Sequence, residues 1–112
     1  MARTTFTGPV VSQNGFIAGT GTAAINKILT ATASLNFPSI SAASQADLTI
    51  TVTGAAVGDE VIMSLPAAPA AGLVFNAFVS ATDTVTIRAS NITASPVDPA
   101  AANYGVVVLN VA

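Results

Sequence analysis

The chain has no histidine, no cysteine and no tryptophan, and only 7% of its 112 residues are charged. Each absence removes a class of function. Without histidine or cysteine there are no ligands for a zinc or copper site. The many serines and threonines also lack the base that usually activates a hydroxyl nucleophile. Without cysteine there is no disulfide, so the fold does not depend on redox compartment. The basic residues Arg3, Lys27 and Arg88 are isolated from one another, whereas nucleic-acid binding needs a basic patch; no nucleic-acid partner is expected.

Acidic groups are equally scattered. Among Asp47, Asp59, Glu60, Asp83 and Asp98 only Asp59 and Glu60 are neighbours, and adjacent residues at a strand end point to opposite faces. General acid–base work wants paired groups in a cleft. These two are read instead as part of a hairpin turn, Asp47 and Asp83 as turn caps directly before strands, and Asp98 as a loop residue. Lys27 is read as a linker residue and not as a catalytic base. No spacing of oxygen ligands suggests calcium, and Gly19-Thr20-Gly21 lacks both the P-loop lysine and the third glycine of a dinucleotide fingerprint. The sequon Asn91-Ile92-Thr93 carries little meaning without a secretion signal. The sequence is therefore read as non-enzymatic, with no metal and no cofactor.

The longest apolar stretch, residues 65–79, is broken by Pro66, Pro69 and Asn76 and is too short to span a bilayer; no membrane partner is expected. The opening Met1-Ala2-Arg3-Thr4-Thr5-Phe6 has one basic residue and no apolar core, so it does not read as a signal peptide.

What is present is apolar and small: 52% hydrophobic residues, much of it alanine, with threonine, serine and asparagine making up most of the rest and a net charge of −2. High apolar content at low net charge argues against disorder. So few charges leave a free monomer poorly solvated, which points to a surface committed to partners.

Residues 1–28 show no sustained period. Gly8, Pro9, Asn14-Gly15, Gly19 and Gly21 punctuate an extended segment with turns, yet Phe6, Val10, Val11, Phe16 and Ile17 would be wasted on a solvated tail. The segment reads as an arm draped over a partner, with residues 22–29 forming a helical turn or a linker. From residue 29 a β-domain follows. Ala31, Ala33, Leu35 and Phe37 alternate with polar residues up to Pro38, and Leu48, Ile50 and Val52 alternate with threonines. Further strands are predicted at residues 61–65, 73–79, 84–89 and 104–111, with a turn at 80–83 and a stiff Pro/Ala connection at 66–72. Six short strands without an amphipathic helix read as an all-β fold: a small antiparallel sandwich or barrel, Ig-like or jelly-roll-like, with an extended N-terminal arm. Two strands are apolar on both faces: Val74 and Phe78 oppose Leu73, Phe75 and Val79, and Val107, Leu109 and Val111 oppose Val106 and Val108. Monomers rarely expose apolar patches beyond a few hundred Å², so Val74, Phe78, Val107 and Leu109 are predicted at a subunit interface.

The opening run MARTTFTGPVVSQNGFIAG resembles the N-terminal arm of small virion proteins of tailed bacteriophages. The Thr-rich strand, Thr53-Gly54-Ala55-Ala56-Val57-Gly58-Asp59, the strand Asp83-Thr84-Val85-Thr86-Ile87-Arg88 and the loop Val97-Asp98-Pro99 are similar to the β-domain of phage head decoration (cement) and head-fibre proteins. That resemblance implies a structural virion protein on the outer capsid surface, a trimer that binds the major capsid protein and cements neighbouring capsomers. Thr4, Thr5, Phe6, Val10, Phe16 and Ile17 would then be capsid contacts. The alternative reading is a head- or tail-fibre adhesion module that binds host surface glycans.

Overall fold

The computed structural model describes residues 3–21 and 23–111. Six strands run β1 (Ile25–Leu35), β2 (Gln45–Thr51), β3 (Glu60–Ser64), β4 (Leu73–Ala81), β5 (Thr84–Asn91) and β6 (Ala102–Val111). They form two three-stranded antiparallel sheets, ordered β1-β6-β3 and β2-β5-β4. The sheets stay separate, so the all-β fold is a sandwich and not a closed barrel.

Alternation assigns every side chain. Leu29, Ala31, Ala33 and Leu35 of β1, Tyr104, Val106 and Val108 of β6, and Val61 and Met63 of β3 face inward. From the other sheet come Leu48 and Ile50, Leu73, Phe75, Ala77 and Val79, and Val85, Ile87 and Ala89. The deepest residues sit on β5 and β6, because each is the central strand of its sheet and is covered on both flanks. Near one end Phe37, Phe75 and Tyr104 pack edge-on and tilted, with ring centroids 5.7–6.1 Å apart, a favoured aromatic arrangement. Tyr104 is thus a core residue, and burial raises the pKa of its phenol.

Only β4 and β5 are joined as a hairpin; Thr82 and Asp83 turn it, with Asp83 at φ 61°, a left-handed conformation that aspartate tolerates better than most residues. Every other connection crosses between sheets. This corrects the hairpin expected at Asp59 and Glu60. The turn there leads from β2 in one sheet to β3 in the other, with Asp59 accepting hydrogen bonds from the Ala56 amide and the Asn110 side chain. Both bonds favour the carboxylate, the one from Asn110 more strongly, and lower its pKa. Asp83 does act in a turn, accepting from the Gly54 amide. Asp47 caps nothing: it lies inside β2, opposite Arg88.

The three connections at residues 36–44, 65–72 and 92–101 gather at one end of the sandwich. Asn91 ties two of them together. Its buried amide donates to the carbonyls of Ile40 and Ser95, each at 2.9 Å, and its oxygen accepts from the Thr93 amide and hydroxyl. The sequon asparagine is therefore fully occupied by internal hydrogen bonds.

The first strand starts at Ile25, earlier than its Thr-rich half suggested, so residues 25–28 belong to the sheet and form no helical turn; Thr22 lies outside the described residues. Ile25, Lys27 and Leu29 point inward while Asn26 and Ile28 point outward, with a bulge between Ile25 and Lys27. Lys27 reaches the Gly54 carbonyl. Among the described residues before β1 the arm makes one bridge, Phe16 to Ile25, through two backbone hydrogen bonds of 2.9 and 3.2 Å. Gly15, at φ 76°, lies so close to β1 that a Cβ there would collide with the Ile25 carbonyl oxygen. Glycine is therefore needed to dock the arm's base.

Candidate interaction surfaces

The two sandwich faces that look outward differ in chemistry. On the β2-β5-β4 sheet, Arg88 stands between Asp47 on one side and Asn76 on the other. It donates to both Asp47 carboxylate oxygens at 2.9 Å, a fork geometry that lowers the aspartate pKa. The same guanidinium lies 5.1 Å above the ring centroid of Phe78, close enough for a cation–π contact. Thr86 donates to Ser80 at 2.7 Å. This face is a threonine-rich surface whose charges and one aromatic are satisfied by each other.

On the β1-β6-β3 sheet the rows read Ile28–Leu109–Glu60, Thr30–Val107–Ile62, Thr32–Gly105–Ser64 and Ser34–Asn103. Ile28 and Ile62 are more than half exposed, and Glu60 is the one charged side chain in those rows. Gly105 interrupts the central strand, so the middle of the third row has no side chain. The result is an open groove of about 360 Å³ bordered by Thr30, Thr32, Ile62, Ser64, Asn103 and Val107. A glycine inside a strand often marks such a close approach or gap.

The predicted subunit-interface residues therefore do not form one surface. Val74 and Phe78 lie on the outer face of one sheet, Val107 and Leu109 on the outer face of the other. Phe78 is partly covered by Arg88. Val107 and Leu109, by contrast, are joined by Ile28, Ile62 and Gly105, which sequence reading did not select. Ile28 lies in the unpatterned stretch before residue 29, and Ile62 lies within the unbroken apolar run Val61-Ile62-Met63; Gly105 is a lone glycine inside a strand.

The third surface is the arm. Thr4, Thr5, Phe6, Val10, Phe16 and Ile17 are all exposed, and Phe6 and Val11 remain 65% and 85% accessible. The long dimension of the molecule is 58 Å, while an 11-residue strand spans only about 36 Å; the arm projects beyond the sandwich.

Among the described residues no group of three or more histidine, cysteine, aspartate or glutamate side chains is placed to hold a metal ion, and no helix is long and apolar enough to cross a membrane. Asp47, Asp59 and Asp83 are each engaged in structural hydrogen bonds, and Tyr104 faces the core. No protein-family model, curated protein or solved structure matches the chain.

Proposed function

We propose that this chain is a structural virion protein that attaches through its arm to the outer surface of an assembled capsid and cements neighbouring capsomers, as its resemblance to phage decoration proteins implies. The observation that carries the reading is the state of the arm. Five large apolar side chains, Phe6, Val10, Val11, Phe16 and Ile17, stay more than half exposed beside a sandwich core that includes none of them. Burying each against a partner is worth roughly 1.5–3 kcal/mol before ordering costs are subtracted. In this reading Thr4, Thr5, Phe6, Val10, Phe16 and Ile17 meet the capsid protein. The mechanism is mass action: a ligand that binds only the assembled lattice stabilises it, and many identical contacts on one particle add avidity.

Purified capsids incubated with the chain should retain it on sedimentation, and deletion of residues 2–20 should abolish retention while leaving the melting transition of the sandwich in place. Equal retention of the truncated chain would refute the arm's role. Failure of the intact chain to bind capsids, with selective binding on a glycan array, would favour the adhesion reading instead.

A further inference from the structure

We infer that the outer face of the β1-β6-β3 sheet is a self-association surface, on which Ile28 of one copy of this chain seats in the groove over Gly105 of the next. The inference deepens the structural-module reading by naming the surface through which copies meet.

Area comes first. The chain exposes 7223 Å², whereas a compact monomer of 11.0 kDa exposes about 5,600 Å². The surplus, roughly 1,600 Å² per chain, exceeds the roughly 800 Å² that each partner buries in a standard protein–protein interface. The arm contributes much of it, and the base of the arm adjoins the face. Phe16 bridges to Ile25, and Val10, Ser12 and Gly15 share a small cavity with Ile28. Arm base and sheet face thus adjoin at Ile28, across a cavity also lined by Asn26 and Lys27.

The face is also complementary to itself. A protruding side chain, Ile28, and a recess, Gly105, lie on the same surface two side-chain rows apart, about 13 Å along the strand direction. Val107 lies in the row between them. A second copy can place its isoleucine in the first copy's recess and offer its own recess in return, or pass the contact on around a closed ring. Both arrangements use the same knob and the same notch. Charge opposes neither, since Glu60 at the rim is the one ionised group in the rows of this face, and interface centres are depleted in charge. The opposite face exposes Val74 but has no glycine gap in its rows, and Arg88 partly covers its Phe78.

Sedimentation velocity on the full chain, without capsid protein, tests this. At micromolar concentration the chain should sediment as a dimer or trimer. Gly105→Leu should shift it toward monomer, with association weakened at least tenfold. A Cβ at Gly105 meets Thr32 Cγ2 at 3.4 Å and Ser64 Cβ at 3.5 Å, so the new side chain fills the groove without entering the core. Ile28→Asp, at an exposed position, should weaken association similarly and decides the matter if Gly105→Leu fails to fold. Val74→Asp, on the outer face of the other sheet, should leave it unchanged. A monomer at all concentrations overturns the inference. So does an oligomer indifferent to both substitutions, and that result leaves capsid attachment through the arm intact, because that is read on capsids.

Discussion

Replacing Asn91 by alanine should be among the most damaging single changes in the sandwich, although the residue touches no proposed partner. The residue is 3% exposed, and its side chain makes four hydrogen bonds, to the carbonyls of Ile40 and Ser95 and from the amide and hydroxyl of Thr93. A typical internal hydrogen bond contributes about 0.5–1.5 kcal/mol net, and stripping a buried group of its partner costs more. Truncation to alanine removes all four and leaves carbonyls from two crossing connections facing an apolar hole. The expected loss is about 3–5 kcal/mol, a large share of the stability of a domain this size, and a fall in Tm of roughly 15–25 °C. Urea denaturation gives the value directly, provided the m-value is unchanged. Asn91→Asp should be no milder near neutral pH, since a carboxylate oxygen would replace the donor between two carbonyls. An alanine variant within 1 kcal/mol of the parent would refute the claim that this amide holds the end of the sandwich together.

Two further outcomes concern ionisation. Tyr104 is the only tyrosine and there is no tryptophan, so alkaline absorbance titration reads one residue. Because burial raises its pKa, the native chain should ionise above pH 10 and the urea-unfolded chain near 10; the sandwich should lose stability as pH rises through the native value. At the acid end, Asp47 and Asp59 have pKa values lowered by hydrogen bonds from Arg88 and Asn110. Their stabilising contribution is complete above the ordinary carboxylate pKa of about 4 and is lost as pH falls through the lower folded values. The urea midpoint should decline below about pH 4, and Asp59→Asn should remove part of that decline; an identical acid profile for the variant would show that the Asn110 contact contributes nothing.

Strands were the most legible part of the sequence because a β-strand repeats every two residues and threonine marks its wet side. At Leu48-Thr49-Ile50-Thr51 the pattern alone assigns both faces, and the structure agrees. Legibility fell where both faces are apolar or the period is carried by unlike residues. Ile25-Asn26-Lys27-Ile28 looks irregular until Lys27 is seen to send its ammonium group to the Gly54 carbonyl, which lets a lysine occupy an inward position with its stem along the sheet. Turn chemistry was half legible. Asp83 supplies the left-handed hairpin residue as its type suggests, while Asp47, the same residue type before a similar Thr-rich run, pairs across strands with Arg88, a partner 41 positions away.

The same limit explains the candidate surface. Alternation within one strand says which side chains share a face of that strand, and it correctly set Val74 with Phe78 and Val107 with Leu109. It cannot say which strands share a sheet. That depends on pairing, and here β6 pairs with β1 and β3 while β4 pairs with β5. The two apolar outer faces therefore lie on opposite sides of the molecule. The β4 patch is modified by Arg88 lying over Phe78, and the β6 patch is enlarged by Ile28 and Ile62 from strands at either flank. An apolar outer face on a central strand becomes a surface only through its neighbours. On the β1-β6-β3 sheet those neighbours extend it, and that difference makes this face the one on which a second chain can pack.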